Sequence, residues 1–297
     1  MTDPVLRTVS AGDLDIAYLE SGPPDGPPVV LLHGFPYDVH AYDAVVPRLT
    51  AAGRRCIVPW LRGYGPTRLR SPDLPRSGQQ AALGADLLAL MDALALPPAV
   101  LAGFDWGGRA ATIAAILRPE RVRGLVSGGA GLNLHDMTHA AQPAAPAQER
   151  RSWYVYYLAT GRGRRALETD RRGLCRFLWQ HFSPGWRFGD AVFDRSATSF
   201  DNPDFVDVVL HSYRVRIGEV AGDPRHEATE ARLSARPPVQ VPAIVLQGAD
   251  SGVSQPSSRE QLAADFPRLQ DLRVLAGVGH ALPYEAPEAF AQAVLAL

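Results

Sequence analysis

A chain of 297 residues that is 46% hydrophobic and 21% charged has enough apolar material for a sizeable core, and that balance excludes a disordered chain. Its formal net charge of -1 excludes a nucleic-acid or acidic-membrane partner recruited by bulk charge. The two cysteines, Cys56 and Cys175, are far apart, fit no metal-ligand spacing and read as buried free thiols.

Residues 8–20 alternate about a Gly12-Asp13 turn and predict a hairpin. Val29-Val30-Leu31-Leu32 reads as a strand buried on both faces, and it runs into His33-Gly34-Phe35-Pro36. Residues 43–52 have helical spacing. Residues 55–60 form a second strand candidate, followed by Arg62-Gly63-Tyr64-Gly65. Residues 81–94 predict an amphipathic helix, stopped by Pro97-Pro98. Ala99-Val100-Leu101-Ala102 is again a buried strand, and residues 109–117 an alanine-rich helix. Residues 122–127 supply the next strand. Alternation then stops. Residues 134–238 are aromatic-rich and helix-like, broken at Pro146, Pro184 and Asn202-Pro203, with an Ala/Pro link over 140–147 that reads as flexible. Strands return at 243–246 and 272–275, with helices over 257–266 and 287–297. Repeated strand–helix units predict an α/β chain with a mainly parallel, doubly wound sheet. The expected division is a core of residues 1–133 and 239–297 carrying a helical cap, 134–238. The opening Met1-Thr2-Asp3-Pro4-Val5 lacks a basic stretch followed by an apolar run, and no apolar stretch approaches the roughly 20 residues of a membrane span. The expectation is a cytoplasmic protein.

Between the third strand and its helix stands Gly103-Phe104-Asp105-Trp106-Gly107. Strand, Gly-x-nucleophile-x-Gly, helix is the nucleophile elbow of the α/β-hydrolase fold, a turn so tight that side chains at Gly103 and Gly107 would clash. Here the central residue is Asp105 rather than serine. Asp250 and His280 follow later apolar strands, in the order nucleophile, acid, base. A serine that attacked saturated carbon would leave an ether that activated water cannot cleave. A carboxylate is already ionised at neutral pH, with an ordinary pKa of about 3.9. Its attack gives an ester whose acyl carbon belongs to the protein, and water can hydrolyse it. His280 is then the base, oriented by Asp250, and the backbone N–H groups of Phe35 and Trp106 are the expected oxyanion donors.

With these motifs the chain resembles, over nearly its full length, the epoxide hydrolase and haloalkane/haloacetate dehalogenase branch of the α/β-hydrolases. The matching stretches are His33-Gly34-Phe35-Pro36, Arg62-Gly63-Tyr64-Gly65, residues 103–108, Gly248-Ala249-Asp250 and Gly279-His280 with Glu285-Ala286-Pro287-Glu288. Trp60 departs from the family, which usually has aspartate there, and implies local repacking. The resemblance implies hydrolysis of a small-molecule epoxide to a diol without cofactor or metal. It also implies two cap tyrosines that hold the opening oxygen, matched here by Tyr154 and Tyr213. Trp153, Trp179 and Phe200 suggest an apolar pocket, and Arg109 is a further pocket candidate. A homodimer is left open. The alternative is a dehalogenase with the same nucleophile. Against a haloalkane stands Phe35, which offers no side-chain donor to a halide. Against a haloacid stand Trp106, in place of a family arginine, and the lack of a carboxylate in 126–129. A non-catalytic small-molecule binder is the reading from another class.

Overall fold

The computed structural model describes residues 4–129 and 131–297. Residues 1–3, part of the stretch read as carrying no leader, lie outside them. The strands, in chain order, are β1 (Val5–Ala11), β2 (Leu14–Ser21), β3 (Pro28–Leu32), β4 (Arg55–Pro59), β5 (Arg68–Leu69), β6 (Ala99–Phe104), β7 (Val122–Gly128), β8 (Ala243–Gly248) and β9 (Leu269–Leu275). They form one nine-stranded sheet in the order β1-β2-β4-β3-β6-β7-β8-β9, with β5 paired to β2. β1, β2 and β5 pair antiparallel, while every pairing from β4 across to β9 is parallel. The apolar runs explain this: β3, β6 and β8 are buried at every residue, as a strand covered on both faces must be. After β3 the chain moves outward to β4 and then returns to place β6 on the other side. That reversal is a topological switch point, and ligands of open α/β sheets bind outside the strand ends there.

Three helices join the early strands: α1 (Val46–Ala51), α2 (Gln80–Ala93) and α3 (Asp105–Leu117). α2 is where predicted but is not two-faced. Ala81, Ala82, Leu83, Leu87, Leu90 and Met91 are all buried because the helix lies between α3 and β1. Among the described residues six α-helices, with short 3-10 turns and no strand, separate β7 from β8: α4 (Pro146–Arg151), α5 (Trp153–Ala159), α6 (Gly161–Phe182), α7 (Asp190–Ala197), α8 (Phe205–Arg216) and α9 (Glu227–Ser234). α10 (Arg259–Leu262), α11 (Leu282–Glu285) and α12 (Pro287–Leu295) follow the last strands. The helix predicted over 257–266 contracts to the single turn of α10, started by a capping box between Ser258 and Gln261.

The helical segment is stitched to the sheet by buried polar contacts. The Asp38 carboxylate accepts from the hydroxyls of Ser196 (2.6 Å) and Ser199 (2.7 Å) and from the His40 N–H (3.1 Å). Trp60, the departure from the family pattern, donates its indole N–H to the same Ser199 hydroxyl at 2.9 Å. Its ring fills the space over Gly65, where a Cβ would come within 2.4 Å of it.

Candidate active site

The elbow is built by exclusion. A Cβ on Gly107 would lie 2.1 Å from the Leu32 carbonyl oxygen, and one on Gly103 would lie 2.6 Å from the Gly107 carbonyl carbon. Only glycine therefore lets α3 start this close to β3 and β6. Asp105, between them, sits at φ +51°, a left-handed conformation that is costly for a side-chain-bearing residue. Its carboxylate is thereby turned out beyond the end of β6. The N–H of Phe35, from the loop after β3, donates to Asp105 Oδ1 at 2.8 Å. Gly34 is packed against Asp105, since a Cβ there would lie 2.4 Å from Asp105 Cβ. Behind the elbow Asn133 donates its amide to the Asp105 carbonyl at 2.7 Å.

His280 is buried, and its Nε2 stands 3.5 Å from Asp105 Oδ2. Burial alone would raise the Asp105 carboxyl. His280, the Arg109 guanidinium and the Phe35 N–H together outweigh that and hold it below its ordinary value, so Asp105 is ionised. The loop carrying His280 is clamped. Ser183, at the end of α6, accepts from the His280 N–H at 2.9 Å and donates to Glu285 at 2.7 Å. Glu285 also accepts from the N–H groups of Gly279 (2.8 Å) and Ala281 (3.0 Å).

The expected third member of the triad is not in place. Asp250 is exposed, its N–H is tied to the Val278 carbonyl at 2.9 Å, and among the described residues no hydrogen bond joins its carboxylate to His280. The cause is local register. β8 ends against the histidine loop so closely that a Cβ on Gly248 would lie 1.9 Å from the Gly279 carbonyl oxygen. Two residues further on, Asp250 faces solvent. The next residue, Ser251, shares a small chamber behind His280 with Gln247.

Tyr154 and Tyr213 lie together, beside Phe35 and Trp106. Both are buried, with ring centroids 5.7 Å apart, and Tyr213 packs on Phe35 (5.3 Å) and Trp106 (6.1 Å). Burial pushes the Tyr154 hydroxyl up to about 12 and that of Tyr213 well above its usual 10, so both stay protonated donors at neutral pH. Arg109 is buried too, donating Nε–H to the Asn133 carbonyl at 2.9 Å, and it forms no ion pair within 4 Å among the described residues. Burial lowers its guanidinium to about 10, against the pull of Asp105, leaving it charged. Arg216 and His135 neighbour it, and His135 is kept neutral first by burial and then by the two arginines.

The three aromatic pocket candidates fare differently. Trp179 is fully buried in packing between the helical segment and the sheet, donating its indole N–H to the Pro36 carbonyl at 2.7 Å and stacking on Tyr37. Phe200 packs among Tyr64, Phe193 and Phe205, and Trp153 lies half-buried against Tyr154.

A family model described as the alpha/beta hydrolase fold matches residues 27–287. The chain belongs to the α/β-hydrolase family. Among solved structures, this hydrolase is similar to a candidate epoxide hydrolase from Klebsiella pneumoniae, at 43% identity over 98% of this chain and 96% of that one, with a TM-score of 0.94. Curated relatives include epoxide hydrolase A of Mycobacterium tuberculosis, 32% identical over 167 residues, which is 53% of this chain and 48% of the relative. Epoxide hydrolase 3 of Siraitia grosvenorii is 38% identical over 102 residues, 34% of this chain and 32% of the relative. The chain thus spans half or less of the length of these curated relatives. The fold expected from the elbow is the fold found, in the branch that holds the epoxide hydrolases.

Four residues of this hydrolase escaped sequence reasoning: Ser183, Asn133, Arg216 and His135. Glu285 was visible within a motif but carried no assigned role, because its work is done on backbone N–H groups that leave no pattern in the sequence.

Proposed function

We propose that this α/β-hydrolase opens an epoxide to a vicinal diol through an ester on Asp105. The supporting observation is one constellation: an ionised carboxylate at φ +51°, 2.8 Å from a backbone N–H and 3.5 Å from a histidine, beside two buried phenols. Oδ2 attacks a ring carbon and the carbon–oxygen bond of the ring breaks. Tyr154 and Tyr213 donate to the departing oxygen, which ends as a hydroxyl. Oδ1 remains against the Phe35 N–H, and the Trp106 N–H completes the oxyanion hole. His280 then takes a proton from water as its oxygen attacks the Asp105 acyl carbon; as the ester bond breaks, the leaving alkoxide takes that proton from His280, and the water's second proton, released from the Asp105 carboxyl, restores the tyrosine that protonated the ring oxygen. The helical segment, residues 134–238, serves as the cap over a core of 1–133 and 239–297. No helix of the described residues is long and apolar enough to cross a membrane, and a cytoplasmic enzyme fits that.

Dehalogenation of a haloacid is the second reading, and Arg109 favours it. A buried guanidinium beside Asp105 with no ion-pair partner among the described residues suits an anionic substrate. Product analysis on styrene-type and aliphatic epoxides, a haloalkane and a haloacetate tests both. Diol formation from an epoxide is expected. Halide release from haloacetate with no diol from any epoxide would replace the first reading with the second.

A further inference from the structure

We propose that His280 works without a carboxylate partner, and that Ser251 stands where such a partner would act. The inference rests on the ester mechanism proposed above. Its ground is the chamber behind His280, whose walls include Gly129, Gln247, Ser251 and Ser254 and, among the described residues, no carboxylate. Asp250, the nearest acidic residue in sequence, is exposed and held outward by its own backbone hydrogen bond. Gln247 is no substitute. Its amide oxygen already accepts the Ser257 N–H at 2.9 Å, which leaves a buried, unpartnered Nε2 donor as its free end. Ser251 holds a local turn, accepting from the N–H groups of Val253 (3.3 Å) and Ser254 (3.4 Å). A neutral hydroxyl stabilises a histidine that becomes positively charged far less than a carboxylate does, and an amide donor opposes that charge.

The two half-reactions feel this unequally. Asp105 is ionised without help from a base, so ring opening does not need the histidine's orienter. Hydrolysis does, because His280 must take a proton from water and carry the charge while the tetrahedral intermediate forms and collapses. Removing the orienting carboxylate of a serine protease triad costs about 10⁴ in turnover. A site built without one should therefore form its ester readily and release it slowly. Aspartate at 251 accepts the same two N–H groups as serine, so the turn survives the substitution while the chamber gains the missing charge.

The test uses the full chain with styrene oxide, following ester formation by rapid-quench intact-mass measurement and diol release in the steady state. Expected are a wild-type enzyme carrying its adduct at near-stoichiometric level and an Asp250→Asn variant within twofold of wild type in both half-reactions. Ser251→Asp should release diol at least tenfold faster, with unchanged ester formation and a depleted adduct, while Ser251→Asn shows no gain. A hundredfold slower hydrolysis in Asp250→Asn would overturn the proposal, whether or not Ser251→Asp folds. So would a wild type that turns over styrene oxide with no detectable adduct. Diol formation stands in both of those cases, and an adduct on Asp105 in a His280→Gln variant decides separately whether it runs through an ester. Absence of both ester and diol across all epoxides would instead remove the ester mechanism, and this inference with it.

Discussion

Asp105 shows how much a single position decides. Serine at this bend would suit acyl carbon; aspartate suits saturated carbon, and the left-handed backbone at φ +51° is the strain that presents it. In the proposed reaction its companions Tyr154 and Tyr213 act where charge develops, as the ring oxygen leaves. Replacing either with phenylalanine should lower the rate of ester formation roughly 10²-fold, as loss of one donor to a developing oxyanion does, and replacing both should nearly abolish it. Single-turnover quench measures this, and hydrolysis of ester already formed should be unaffected. The elbow at Asp105 was legible in the sequence because its pattern is short and its geometry local, whereas Tyr154 and Tyr213 were named only through the family resemblance. Asp250 was misplaced because one step of register after β8 separates a side chain facing the histidine from one facing water, and strand–loop order does not encode that step. Trp179 was misread as pocket lining because aromatic spacing on a helix does not reveal which neighbour covers it.

At the scale of elements, the switch point between β3 and β6 gathers the Phe35 loop and the start of α3 into one place. The buried runs of β3, β6 and β8 made that sheet readable from hydrophobicity alone. The helical segment was readable only as an interruption, since its packing depends on contacts far apart in the chain. One such contact is the clamp in which Ser183 of that segment and Glu285 hold the histidine loop. Glu285→Ala would leave the Gly279 N–H without its acceptor and the Ala281 N–H with only its 3.2 Å bond to Ser183. The expected result is a stability loss of about 2 kcal/mol. It should come with slower ester hydrolysis at little-changed ester formation, read by urea unfolding and by the same quench experiment.

For the whole molecule, pH dependence follows from a buried histidine outside the reaction. His33 Nε2 accepts the Leu61 N–H at 3.1 Å, so Nδ1 carries the proton and donates to the Gly34 carbonyl, also at 3.1 Å. Burial lowers its pKa from 6.5 to about 4, so the folded chain keeps it neutral while the unfolded chain protonates it first. The unfolded state then binds more protons between those values, and stability falls as pH drops through that window. His33 contributes roughly 3 kcal/mol to that fall. The urea midpoint should decline from pH 7 to pH 4, and His33→Gln should flatten the slope. A slope unchanged in that variant would locate the dependence elsewhere.

The claim on which all of this stands is a covalent bond between Asp105 and substrate carbon. It is tested most directly by incubating a His280→Gln variant with styrene oxide, digesting the protein and mapping the added mass. One equivalent of adduct on the peptide holding Asp105, absent when Asp105 is replaced by asparagine, is the predicted result. Diol produced with no modified peptide, or an adduct on any other residue, would contradict it.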